Sequence, residues 1–538
     1  MVDSSPSLRR MAAAVLQPGF VGTSVPDWVR RWTADGLGAV VLFDRNVRDA
    51  AQVAALTSAL RAERPDLLVA IDEEAGDVTR LESGTGSSRP GNLALGAVDD
   101  PALTERVARD LGRELAGAGI TLNYAPVADV NSNPDNPVIG VRAFGDDPDL
   151  VARHTAAWIR GLQSAGVAAC AKHFPGHGDT SVDSHLDLPR IDADRVRLDA
   201  VELAPFRAAI AAGTATVMTG HLSVPAIDPG YPATLSRPVL VDLLRGELGF
   251  TGAVITDGIE MRAVTGRYGL GGATVRALAA GVDAVCVGGE HSDEATVRLL
   301  RDAIVDAVVT GVLPVCRLAE ASERIARLAD WTLRPPGVPT VDSAVPTAGG
   351  APDGAGVGLV AARRALRLRT ATPLPLTRPA HVVEFAPPHN IASGTQTPWG
   401  LGPAMTALRP DTVTVRLTAA DLDTPTTGGL PTAGDPTARL AAVLAAARDR
   451  TVVLVVRDLH RHQWMATAVE QALAVRPDAV VVEMGVPVRV VGGTHLATYG
   501  ASRANAEAAA ELLVGRRGRD GLSTAGGGQP VTRPVVSR

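Results

Sequence analysis

The feature that most constrains this chain is an alternation. Short runs of β-branched and other apolar residues recur along its first three hundred or so positions, separated by amphipathic helical stretches. Segments 12–16, 39–43, 67–71, 121–125, 168–172, 216–219, 253–256 and 284–287 read as strands. Helical patterns such as 100–116, 147–165 and 194–212 lie between them. Two of these open with Asp-Pro, Asp100-Pro101 and Asp147-Pro148, an N-cap followed by the residue best suited to the first helical position. Strands that alternate with helices pair in parallel through right-handed crossovers. About eight such units fit a (β/α)8 barrel of the TIM type better than an open doubly wound sheet. No GxGxxG follows the first strand, which weakens a dinucleotide-binding fold further.

The alternation stops near Trp331. Residues 333–356 are rich in Pro, Gly, Ala, Ser and Thr and read as a linker between a barrel at 1–332 and a second domain. In that domain, 357–515, strand patterns at 381–385, 412–417, 451–457 and 479–484 and a helix at 502–513 predict another α/β layer structure. The stretch 516–538 is Gly-rich and basic and reads as a disordered tail. There is no internal repeat. Three cysteines cannot build a disulfide framework, and no leader-like N-terminus or spanning stretch is recognisable, so a cytoplasmic protein without membrane contact is expected. A net charge of -6 leaves no basic surplus for nucleic acid. Nothing in the sequence speaks to oligomeric state.

In a barrel of this type chemistry sits at the C-terminal ends of the strands. Reading those ends gives Asp72, Glu73 and Glu74 with Arg80; Asn123, Asp129 and Arg142; Lys172 and His173; His221; Asp257; and Gly288-Gly289. Lys172 is the only lysine among 52 basic residues. Arginine replaces lysine on most surfaces but not where a compact ammonium must fit a fixed geometry, so Lys172 is a functional candidate on composition alone. The densest segment runs from Lys172 to His185 and holds three of the 11 histidines. Its glycines and Pro175 prescribe a long βα loop. Asp183 and His185, two apart, share one side of an extended segment, and a carboxylate beside an imidazole prepares it for proton transfer near neutral pH. A zinc site built from His173, His177, Asp183, His185 and His221 is the rival reading. Against it stand the absence of an H-E-x-x-H pattern and the neighbouring Lys172 charge.

Four segments resemble glycoside hydrolase family 3, in its bacterial β-N-acetylglucosaminidase (β-hexosaminidase) branch. They are Ala70–Gly76 with Arg80, Asn136–Gly145, Lys172–His185 and Val254–Met261. The resemblance implies a retaining hydrolase that releases terminal β-linked N-acetylglucosamine and needs no cofactor and no metal. It implies Asp257 as nucleophile, His185 as general acid/base and Asp183 as its partner. Asp72, Arg80, Arg142, Lys172 and His173 correspond to sugar-binding positions, and His221 joins them from its place on the rim. It also implies an α/β sandwich after the barrel. Two departures stand out: Gly258 where the family commonly has Asp, and Glu73-Glu74-Ala75-Gly76 where it commonly has Gln-Glu-Gly-Gly. An imidazole acid/base, unlike a carboxylate, does not repel an incoming anion, so phosphorolysis is an alternative to hydrolysis. A sugar-binding barrel without catalysis would have lost Asp257 or His185, and both are present. In the second domain, His460, His462 and Trp464 follow a strand as loop residues or as a lining of the cleft.

Overall fold

The computed structural model describes residues 5–182, 188–334, 356–371, 373–388, 392–394, 396–422 and 436–516. They form two compact units. One holds the described residues of Met1–Ser87, Gly91–Gly350 and Asn390–Thr397, the other those of Ser88–Pro90, Ala351–His389 and Pro398–Arg538.

The first unit carries strands β1 (Leu16–Pro18), β2 (Ala39–Leu42), β3 (Leu68–Ile71), β4 (Leu122–Asn123), β5 (Ala168–Phe174), β6 (Thr216–Thr219), β7 (Ala253–Thr256) and β8 (Val285–Val287). Strands β2 to β7 make a curled six-stranded sheet in sequence order, and β1 pairs with β8. Every pairing is parallel. All residues of these strands are buried, the condition of a parallel sheet covered on both faces, which accounts for their unbroken Val, Ile, Leu and Ala runs. The intervening helices start where the sequence marks them. Asp100 accepts from the Leu103 N–H and Asp147 from the Leu150 N–H, capping Pro101–Gly117 and Pro148–Gln163.

Two expectations are corrected. Residues 12–14, expected in a strand, close a helix, Pro6–Ala14, whose N-cap Ser5 accepts from the Leu8 N–H; the strand starts only at Leu16. Consecutive alanines favour helix once a cap and a Pro at the first position are supplied. The single helix expected over 194–212 is two, Arg195–Ala200 and Ala204–Ala211. Pro205 has no N–H to give to the preceding turn and instead opens the second helix.

The second unit carries β9 (Arg367–Arg369), β10 (Ala380–Ala386), β11 (Val413–Thr418), β12 (Thr451–Val456), β13 (Val480–Glu483) and β14 (Thr494–Ala497). Its sheet runs β11-β10-β12-β13-β14-β9, with only β9 antiparallel. Two apolar clusters cover its faces, one around Val382, Val453 and Val480, the other around Val383, Leu454 and Val481. Consecutive strand residues thus feed opposite faces, as the pleat requires. Most of the expected linker and tail, at 335–355 and 517–538, lies outside the described residues. Among the described residues, no helix is long and apolar enough to cross a membrane.

Candidate active site

Side chains alternate across a strand, so every second residue of a curled sheet faces its interior. Leu68 and Ala70 on β3, Ala168 and Cys170 on β5, and Ala253 and Ile255 on β7 belong to one buried apolar cluster, with Met218 and Cys286. The next residues in these three series are Asp72, Lys172 and Asp257. The interior column is therefore apolar along the strands and ionic at their C-terminal ends.

Lys172 Nζ lies 2.5 Å from Asp72 Oδ1 and 2.7 Å from Glu74 Oε1. Arg142 grips Glu74 with two donors, Nε at 2.9 Å and Nη2 at 2.7 Å. Arg80 Nη2 donates to Asp72 Oδ2 at 3.2 Å and to the Ala392 carbonyl at 2.9 Å. Burial alone would lower the Lys172 pKa, but the Asp72 and Glu74 carboxylates outweigh it and raise it. Burial would raise Glu74, yet Arg142 and Lys172 hold it well below the usual carboxylate range. Lys172 and Glu74 are thus both charged at neutral pH. Its outer edge is Asp72, 23% exposed, with Arg80 at 11%. A carboxylate acceptor beside cationic donors suits adjacent hydroxyl groups on a neutral polyol, each of which both donates and accepts.

The segment after Lys172 is tied to the loop after β4. Asp129 Oδ2 lies 2.8 Å from His173 Nδ1, and Asp129 Oδ1 accepts from the backbone N–H groups of His173 and His177. That carboxylate fixes the His173 tautomer with its proton on Nδ1. Asn136 Nδ2 donates to the carbonyls of His177 and Gly178. Gly178 is obligatory, since a Cβ there would sit 1.6 Å from the Val130 carbonyl oxygen. The His177 ring is buried, with Nδ1 2.7 Å from Thr180 Oγ1. Burial, with neighbouring His173, pushes it down to about 4, so it is neutral at pH 7.

At the end of β7, Asp257 Oδ1 accepts from the Gly258 N–H at 2.8 Å, and the Asp257 N–H donates to the Thr219 carbonyl. His221 places Nδ1 2.8 Å from Thr234 Oγ1 and Nε2 2.9 Å from the Gly258 carbonyl. Both of its ring nitrogens serve the protein, and the Nε2 bond steadies the turn that carries Asp257. Glu260 accepts from the Gly288 and Gly289 N–H groups, tying that turn to the end of β8. Among the described residues, no three His, Cys, Asp or Glu side chains converge as a metal site. Asp183 and His185 lie outside the described residues.

A family model described as the glycosyl hydrolase family 3 N terminal domain matches residues 24–328. The chain belongs to that family. Beta-hexosaminidase A of Pseudoalteromonas piscicida is 36% identical over 316 residues, 54% of this chain and 53% of that protein. This chain therefore spans about half the length of that relative. A Beta-hexosaminidase of Stenotrophomonas maltophilia is 41% identical over 277 residues, half of this chain and 82% of its own length. Among solved structures, a glycoside hydrolase family 3 beta-N-acetylglucosaminidase from Paenibacillus sp. str. FPU-7 superposes with a TM-score of 0.83 at 33% identity, covering 96% of this chain and 97% of that one.

In this family 3 chain the structure gathers Asp72, Arg80, Arg142 and Lys172 into one network and ties His173 to Asp129 beside it. The pairing roles of Glu74 and Asp129 were not read from sequence. Their signal is a carboxylate in an otherwise buried strand-end segment, which has to find a cation or N–H groups. In the second unit, His460 lies in a short 3-10 turn after β12, His462 directly precedes the helix Gln463–Val475, and the Trp464 ring packs on Phe385 at 6.3 Å between centroids.

Proposed function

We propose that this chain is a β-N-acetylhexosaminidase that removes terminal β-linked N-acetylglucosamine with retention of configuration. The observation that carries the reading is the ionic rim: Asp257 ends one interior strand series while Asp72, Lys172, Glu74, Arg142 and Arg80 form a salt-bridged, partly open cluster at the ends of others. The names of the relatives point to the same substrate class.

In this reading Asp72, Arg80, Arg142, Lys172 and His173 hold the sugar, and His221 acts indirectly, through the Gly258 carbonyl. The Asp257 carboxylate attacks the anomeric carbon as the glycosidic C–O bond breaks, and protonated His185 gives its proton to the departing oxygen. Neutral His185 then takes a proton from water, which attacks on the face the leaving group has left, opposite Asp257, as the Asp257–carbon bond breaks. Asp183 orients the imidazole and holds its proton on the far nitrogen. Parallel pairing from β1 round to β8, with single bridges Gly19–Val41 and Ile255–Ala284 between the two sheets, supports a (β/α)8 barrel at 1–332. We read 333–356 as linker, 357–515 as the α/β sandwich and 516–538 as tail, in a cytoplasmic enzyme.

The test is the product formed first from an aryl β-N-acetylglucosaminide, followed by proton NMR. The β-anomer of free N-acetylglucosamine is expected; the α-anomer overturns retention. Repeating the reaction in phosphate gives the same product for a hydrolase, whereas accumulation of a sugar 1-phosphate would make it a phosphorylase.

A further inference from the structure

Arg80 is eight residues beyond Asp72, yet its guanidinium returns onto that carboxylate. The loop between them turns back through Ala75 and Gly76, both with φ of 63°. What holds the returning strand of the loop is a buried side chain outside the ionic cluster. Glu73 is 2% exposed. Its Oε2 accepts from the N–H groups of Arg80 at 2.7 Å and Leu81 at 3.0 Å and from the Thr79 hydroxyl at 3.1 Å. Its Oε1 accepts from the Ala75 N–H at 3.3 Å. The backbone of Glu73 is itself clasped to β4: its N–H donates to Asn123 Oδ1 at 2.9 Å, and its carbonyl accepts from Asn123 Nδ2 at 2.7 Å.

We propose that Glu73 is the positioning residue for Arg80, setting the place of the guanidinium over Asp72 and thereby the grip on the sugar without touching it. This rests on the reading of Asp72 and Arg80 as sugar-binding groups. Three donors of the 79–81 segment converge on one carboxylate oxygen, and the backbone that carries this side chain is fixed to the end of the neighbouring strand. Moving it moves the Arg80 backbone directly. Asp72, by contrast, constrains only the tip of the side chain. A group acting through Arg80 alters binding more than the chemical step, because the reacting atoms belong to other residues.

The experiment measures KM and kcat on an aryl β-N-acetylglucosaminide for Glu73→Ala, Glu73→Gln, Arg80→Ala and the double variant Glu73→Ala/Arg80→Ala. Glu73→Ala is expected to raise KM about tenfold with kcat within about twofold. Glu73→Gln stays within about threefold of wild type in KM, since the amide oxygen can keep the three bonds of Oε2 and only the long Ala75 contact is lost. The double variant has the KM of Arg80→Ala alone, because Glu73 has nothing left to position. Should Glu73→Ala fail to fold, Glu73→Asp takes its place in both backgrounds, keeping the charge but retracting it by one methylene. An effect that lowers kcat or the active fraction while leaving KM unchanged overturns the proposal, as does a KM effect that adds fully to that of Arg80→Ala. If Arg80→Ala itself leaves KM unchanged, the sugar-binding reading falls and this inference falls with it.

Discussion

Two buried glutamates, one in each unit, collect backbone N–H groups where a strand gives way to its loop. Just beyond β3, Glu73 accepts from Ala75, Arg80 and Leu81 and from the Thr79 hydroxyl. At the end of β13, Glu483 accepts from Asp458, Leu459 and Gly485. Burial pushes the first up to about 7 and the second up to about 8, in each case against the pull of those donors. The difference lies in what the shaped loop carries. Around Glu73 the loop brings Arg80 onto Asp72, while the next residue, Glu74, meets Lys172 and Arg142. Beside Glu483 stands another carboxylate, Asp458, whose own oxygen accepts from the Val486 N–H and whose charge raises Glu483 further. A perturbed buried carboxylate is therefore a loop-closing device in both units and does not by itself mark a site. What sets the segment after β3 apart is that its carboxylates meet cations, Asp72 with Arg80 and Lys172 and Glu74 with Lys172 and Arg142, while Asp72 stays partly open.

The strongest way to break this comparison is to remove the group assigned the chemistry. Asp257→Ala should lower kcat by at least about a thousandfold while substrate binding persists, because it removes the carboxylate assigned to form the covalent intermediate. Glu483→Gln should leave kcat within about twofold of wild type. Near-normal turnover of Asp257→Ala removes it from the mechanism, and a large loss in Glu483→Gln would mean that the second unit carries chemistry too.

Next in size is Lys172. Its ammonium is 3% exposed and reaches two carboxylates within 2.7 Å. A guanidinium is larger and planar and cannot occupy that space without displacing Glu74 from Arg142. Lys172→Arg should therefore lose about as much kcat/KM as Lys172→Ala, on the order of a hundredfold, the scale expected from unpairing a buried carboxylate. Wild-type activity in Lys172→Arg would reduce the lone lysine to chance.

A leaving-group series separates the acid/base from the rim. His185→Ala should slow substrates with poor leaving groups about a hundredfold or more and activated aryl glycosides far less, since only the former need a proton in the first step. Asp183→Ala should show the same pattern more weakly. Equal slowing of all substrates would make His185 a structural residue.

Much of this was legible because the physics is local. The Asp-Pro caps, the short apolar runs and the strand-end positions of Asp72, Lys172 and Asp257 follow from residue type and spacing alone. Residues 12–14 were misassigned because an apolar run of alanines fits strand and helix equally in hydrophobicity, and only the Ser5–Pro6 start decides. Glu73 and Glu483 were illegible for a different reason. Their partners are backbone N–H groups, which every residue has, so nothing in the side-chain pattern announces them. Glu74 and Asp129 needed the third dimension, since Arg142 is 68 residues from one and His173 44 from the other.

The smallest effect sharpens the comparison further. Glu202, in the turn between Arg195–Ala200 and Ala204–Ala211, is fully buried, and neither carboxylate oxygen has a hydrogen-bond partner among the described residues. Burial, then the charges of Asp179 and Asp129, push it up to about 8, the same value as Glu483. Both carboxyls ionise near 4.5 in the unfolded chain, so the folded state holds the extra proton. The stability each contributes is fully present below about pH 4.5 and is lost as pH rises through about 8. Glutamine cannot ionise and escapes that loss. Glu202→Gln should match wild type at pH 4 and exceed it at pH 9 by on the order of 2 kcal/mol, a few degrees in Tm by calorimetry. Glu483→Gln must instead turn an amide NH2 toward the Leu459 N–H or toward those of Asp458 and Gly485, and so gives up at least one bond. It should start about 1 kcal/mol below wild type at pH 4 and exceed it by less at pH 9. Equal profiles for the two variants would mean that the donors around Glu483 contribute nothing, and the loop-closing role assigned to both strand-end glutamates would lose its energetic basis.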